Sequence, residues 1–203
     1  WFDAIGAATR RIESLTAGAP EPIWPEGGER APAAPEPWDR TEALELLREE
    51  RYADALATLP AASEALERDP DLLLLRAALH VHRGQLDAAE EACRHLLEID
   101  ALSAGAHYLL ALCREGASDP VMAVHHDQVA TYLDPGFAMP ALHLGLMAVR
   151  GGDRTTAHRD LARALPLLER EDASRLLLYG GGFGREALLV LCRTELAGVG
   201  GRA

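Results

Sequence analysis

The chain has 203 residues, with 20 basic against 32 acidic side chains and a formal net charge of −12. A nucleic-acid binder needs a basic stripe that displaces counterions from phosphates, and none is present. No run approaches the ~18 unbroken apolar residues of a membrane span. Hydrophobic residues make up 48% but aromatics only 5%. The apolar mass is therefore Ala and Leu, which with Arg and Glu are strong helix formers, so the composition predicts an all-α chain.

Residues 1–17 read as a short amphipathic helix, because Ile5, Ala8, Ile12 and Leu15 recur at helical spacing. Residues 18–37 are rich in Pro, Gly, Ala and Glu and read as a linker. From Trp38 to about Pro166 a helical pattern is punctuated by turn signals at regular intervals. A short helix is expected near 172–179, a glycine run comes next at 180–184, and a last helix is expected near 185–198. Cys93, Cys113 and Cys192 lack CxxC spacing and read as reduced core thiols of a cytoplasmic protein. The chain opens at Trp1 with neither an initiator Met nor a signal-peptide pattern, so a segment of a longer protein is expected.

The regular turns resolve into a 34-residue period. Ala55, Ala89, Ala123 and Ala157 are each 34 residues apart. Ala43, Ala77, Ala111 and Gly145 run 12 residues earlier, and Ala62, Leu96, Ala130 and Ala164 run 7 residues later. This phase fits the tetratricopeptide repeat (TPR), a helix–turn–helix unit whose two helices cross on small residues. Residues 38–168 are thus expected to hold one degenerate and three clear repeats, stacked as antiparallel helix pairs in a superhelix. Asp69-Pro70, Ser118-Asp119-Pro120 and Gly152-Asp153 supply turn and cap signals. The first unit is degraded, with Glu42 where Leu is expected. Pro166 is expected to kink or end the last repeat helix. Residues 169–203 are expected to form capping helices and a tail over the open face of the array.

The chemistry-bearing residues assemble no catalytic, cofactor-binding or metal motif. His125-His126 are adjacent and diverge by about 100° on a helix, and His80 and His82 also diverge. The run Gly180–Gly184 has no preceding strand and no Lys-Ser/Thr after it, so it reads as a helix cap and turn rather than a phosphate loop. No serine sits in a nucleophile elbow. What remains is the concave groove of the array. By phase, Leu74, Ala78, Tyr108, Leu112, Leu142, Leu146 and Arg150 face it and form a candidate protein-binding surface. The Lys/Asn set that clamps a C-terminal carboxylate in chaperone-binding TPRs is absent, because the chain has neither residue type. The groove is also open to the chain's own apolar residues, with Ile23, Trp24 or the first helix as the candidate occupants.

The segments AHYLLALCRE (106–115), HHDQVATYLDPGFAMP (125–140) and GGGFGREAL (180–188) lie outside general TPR consensus. Their wording resembles the TPR-bearing branch of CheR-type chemotaxis receptor methyltransferases of Frz-like chemosensory systems. The resemblance implies a preceding methyltransferase domain that uses S-adenosylmethionine to esterify receptor glutamates. It also implies that this stretch is a non-catalytic module that regulates or targets that enzyme. The partner would be a chemoreceptor or the methyltransferase domain itself. A stand-alone scaffold in another bacterial assembly is the alternative. No catalytic or cofactor-binding residue of the family maps onto this chain.

Overall fold

A computed structural model describes residues 38–60 and 68–200. The expected helix 1–17, the linker 18–37 with Ile23 and Trp24, and Ala62 of the third series lie outside the described residues. Among those described there are ten helices and no strand. They are α1 (Thr41–Arg48), α2 (Tyr52–Thr58), α3 (Pro70–His82), α4 (Leu86–Ile99) and α5 (Ala104–Gly116). Next come α6 (Pro120–Leu133), α7 (Ala138–Arg150), α8 (Arg154–Arg170), α9 (Ala173–Tyr179) and α10 (Arg185–Gly200).

Consecutive helices pair as α1/α2, α3/α4, α5/α6 and α7/α8, and each pair packs on the next. The phased small residues sit at the pair contacts. Ala55, Ala77, Ala89, Ala111, Ala123, Ala130, Ala157 and Ala164 are all 0% exposed. A small side chain at these positions lets two backbones approach, and larger residues fill the gaps between units. Gly145 marks the closest approach: a Cβ added there would stand 2.7 Å from Leu161 Cγ and Cδ2 and 3.1 Å from the Leu161 backbone nitrogen.

The helix starts reflect local capping. Asp69 accepts from the amides of Asp71 and Leu72, and Pro70 takes the first helical position, where its missing N–H costs nothing. Asp119 before Pro120 repeats the device, accepting from Met122 N at 3.1 Å. Ser103, Asp153 and Asp172 cap α5, α8 and α9 in the same way. Such caps contribute roughly 1 kcal/mol each.

Two of the apolar clusters involve the segment after α8. Leu109, Phe137, Leu161, Leu168, Leu189 and their neighbours join the later units to α9 and α10 in one cluster. A smaller cluster of Ala43, Leu47, Ala55, Leu75 and Leu79 underlies the first unit, with Leu177 and Leu178 packed against it. Cys93, Cys113 and Cys192 are buried free thiols, and Cys192 Sγ lies 3.4 Å from the Leu161 carbonyl.

Of the two outcomes expected at Pro166, the end of the helix does not occur: α8 continues to Arg170. An interior proline costs about 3 kcal/mol in a helix. Here Leu161, Ala164 and Leu168 lie on both sides of it, each fully buried in the main cluster, and hold the helix together through the proline.

The close crossing at Gly145 is testable. Gly145→Ala should lower the unfolding free energy by about 1–3 kcal/mol, because the methyl must push Leu161 and its backbone away. Urea melts monitored by circular dichroism measure it. An unchanged midpoint would mean the α7/α8 contact is looser than described.

Candidate protein-binding groove

The concave side of the array is filled in part by the chain itself. After α8 the backbone is extended at Glu171 and Asp172 (ψ 144° and 141°), and α9 then packs against α1 and α3. Tyr179, at the end of α9, places its ring 5.8 Å from Tyr108 on α5, at 83°, and 4.9 Å from Phe137. Gly105 makes room for it: a side chain there would collide with the Tyr179 hydroxyl. The Leu178 carbonyl accepts a hydrogen bond from His82 Nε2 on α3 at 3.1 Å. Arg175 lies over the Phe137 ring, 4.1 Å from its centroid, while pairing with Asp134 at 2.9 Å and Glu171 at 3.4 Å. The carboxylate of Glu171 in turn accepts from the Ala138 amide at the start of α7. Burying Leu176 and Tyr179 contributes roughly 1.5–3 kcal/mol each.

The chain leaves the groove through the glycine run. Gly180 caps α9, and Gly181 and Gly182 adopt φ +63° and +83°, which only glycine takes without strain. Arg185 then opens α10 and donates to the carbonyls of Leu168, Glu169 and Glu171 at the end of α8. A guanidinium suits that end of a helix, where unpaired carbonyls carry the negative pole. The last helix packs along α8 and, more lightly, α7.

This arrangement sorts the groove residues expected from the sequence. Leu74 is half-buried and lines a cleft of about 580 Å³ beside α9, together with Asp71, Gly105, Asp134, Arg175 and Tyr179. Ala78 and Leu112 border a smaller cavity of about 250 Å³ on another side of α9, with Leu178 and Tyr179. Ala78, Tyr108 and Leu142 are at most 3% exposed, so they are floor and core and not surface. For Tyr108 the cause is plain, since the rings of Tyr179 and Phe137 cover it. Leu146 packs on the edge of the core. Arg150 is exposed and pairs with Glu115.

A polar network that no sequence motif signals centres on the buried His143. His143 on α7 sits between Asp127 on α6, at 2.6 Å from Nδ1, and Glu115 on α5, at 2.9 Å from Nε2. A ring nitrogen facing each carboxylate makes the imidazolium the favoured form. Burial alone would lower the His143 pKa, but the two carboxylates outweigh it and raise it to about 9. Burial pushes Asp127 up to about 6, against the pull of His143. The hydrogen bond from His143 holds Glu115 below its ordinary value, with burial opposing. With Arg150 on Glu115, two cations and two anions tie three helices together. Both nitrogens of His143 are engaged, which leaves neither free to act on a substrate. Elsewhere His107 and His126 bring their Nδ1 atoms to 3.1 Å, and burial lowers both pKa values, His126 to about 4. Among the described residues no group of three or more His, Cys, Asp or Glu is placed to hold a metal ion. No described helix is long and apolar enough to cross a membrane.

Stacked helix pairs of this period around a concave groove define the class as a TPR superhelix, and known structures agree. The chain is similar to the type III secretion chaperone SycD of Yersinia enterocolitica, solved in complex with a peptide of the translocator YopD. That match has a TM-score of 0.54 at 16% identity, over 68% of this chain and 95% of that one. It is also similar to a thermophilic TPR protein of Thermus thermophilus, with a TM-score of 0.53 at 21% identity over 79% and 91% of the two chains. A third likeness is to MamA, with a TM-score of 0.52 at 18% identity over 67% and 82%. At these identities the likeness carries the fold. No protein-family model matches the chain, and no curated protein matches it.

The His143 network has a pH signature. The His143 pKa is raised above the ordinary 6.5, so the stabilisation from its proton is present below pH 6.5 and is lost as pH climbs through about 9. Between those values the native chain should lose on the order of 2–3 kcal/mol more than a variant carrying Asp127→Asn and His143→Gln. Denaturant melts at several pH values measure this. Parallel pH profiles for the two proteins would show that the network does not titrate as described.

Proposed function

We propose that this chain is a non-catalytic, protein-binding TPR module that regulates or targets a CheR-like chemoreceptor glutamate methyltransferase in the cytoplasm. The observation that carries the binding role is the groove itself. It already grips a polypeptide segment by a side-chain aromatic seat, an ion-paired arginine and a hydrogen bond to a main-chain carbonyl. A surface with those three kinds of contact suits another polypeptide better than a small molecule. The SycD neighbour, which holds a YopD peptide, supports the same general use of the fold. The chemosensory assignment rests on the wording of segments 106–115, 125–140 and 180–188. The partner on this reading is a chemoreceptor segment or the methyltransferase domain. A stand-alone scaffold is the second reading. It is favoured by the match of this array to 82–95% of the length of TPR chains such as SycD and MamA.

The test compares receptor methylation by the enzyme with and without residues 38–203. The expected result is a changed rate or a changed choice of glutamates in the truncated form. Identical rate and identical site choice would overturn the regulatory role. A gene with no methyltransferase domain upstream of Trp1 would favour the scaffold.

A further inference from the structure

We propose that α9 is a displaceable internal ligand, and that the groove's external partner is a peptide of the same chemistry: an arginine followed three to four residues later by an apolar-aromatic pair. This rests on the reading of the groove as a protein-binding surface. It goes further by naming the occupant, the device that releases it and the kind of segment that replaces it.

Three observations carry the proposal. The first is how the strap is tied. Arg185 donates to the carbonyls of Leu168, Glu169 and Glu171, so the two ends of the 172–184 segment meet at one point. A loop closed at its base can lift as a unit. The α8–α10 packing has direct contacts of its own: Leu188, Leu189 and Cys192 are buried, and Cys192 approaches the Leu161 carbonyl of α8. The strap also carries its own joints, in the extended Glu171-Asp172 pair and in the left-handed glycines Gly181 and Gly182.

The second is what the groove recognises. Arg175 is met by the Asp134 carboxylate and the Phe137 face, Tyr179 by the Gly105 gap and Tyr108, and the Leu178 carbonyl by His82. On one helix turn, Arg175, Leu178 and Tyr179 point the same way. The first two contacts are specific to side-chain type and the third holds the main chain, and all three would serve an incoming segment equally. The chain's net charge of −12 favours a partner that brings the cation.

The third is that α9 fills the groove incompletely. The 580 Å³ cleft runs beside it from Arg40 and Leu44 to Leu133 and Asp134. An incoming segment can engage that free part before the strap lifts.

The experiment uses the 203-residue chain and a fluorescein-labelled peptide of residues 171–181 (EDASRLLLYGG). Arg175→Ala with Tyr179→Ala empties the groove of its own anchors while keeping the Arg185 tie. By fluorescence anisotropy the peptide should bind this variant at least 10-fold more tightly than the native chain. Adding Gly105→Val should remove that binding, because the Tyr179 seat is then filled. A variant with native helicity that binds no peptide would show α9 to be ordinary core. Equal binding by native and variant chains would show that α9 does not occupy the groove in solution. Hydrogen exchange on the native chain tests the idea without any substitution. The amides of α9 should exchange at least 10-fold faster than those in the middle of α8 and α10, and equal protection across all three would overturn independent release. These readouts involve no methylation, so a failure here is distinct from a failure of the chemosensory role.

Discussion

Each helix pair is held by a close crossing at which fully buried small residues recur. That constraint organises the rest of the structure. Because Ala55, Ala89, Ala123 and Ala157 have no surface exposed, the paired helices approach with little side chain between them. The larger residues must then go between units or toward the concave face. Leu74 and Leu112 reach the groove, and Tyr108 becomes its floor, as a result. Gly145 opposite Leu161 extends the same logic to the last pair, where even a methyl group is too much. The polar network of Asp127, His143 and Glu115 then crosses three helices at a place where the backbones are near enough for one imidazole to bridge them.

The period was legible in the sequence because small residues at a crossing leave a trace. Three phased series are hard to mistake, and they point to the fold class that the helix pairs and the solved neighbours share. The tail is a different case. Its helix 173–179 could be expected from Ala-Ser-Arg-Leu-Leu-Leu-Tyr, but the place where it docks could not. Apolar residues outside the repeat phase carry no address. The seat of Tyr179 is made by a missing side chain at Gly105, far away in the chain, and nothing local to either residue records the match. Ile23 and Trp24, the conspicuous apolar residues of a polar linker and candidate groove occupants by sequence, lie outside the described residues.

Pairing between helices was hidden for a similar reason. Asp127 and His143 lie 16 residues apart, on helices of different units, at a spacing that no motif uses. The adjacent His125 and His126 draw attention as a cluster, yet His126 meets His107 on the preceding helix and not a shared ligand. Pro166 signalled a kink or an end, and the end does not occur. Its local penalty is real, but burial of Leu161, Ala164 and Leu168 around it outweighs a single lost hydrogen bond.

The three cysteines acquire a use from where they lie. All are buried, and burial pushes each thiol above its ordinary pKa, Cys113 to about 11, so the native chain offers almost no thiolate to an alkylating reagent. Cys93 on α4 and Cys113 on α5 sit close enough to influence one another, at a seam between two repeats. Cys192 lies on the buried face of the terminal helix α10, against α8. Each thiol becomes reactive only when its own seam parts. Their alkylation rates are therefore built-in clocks, timing the breathing of the repeat stack and the lifting of its last helix in a single unmodified chain.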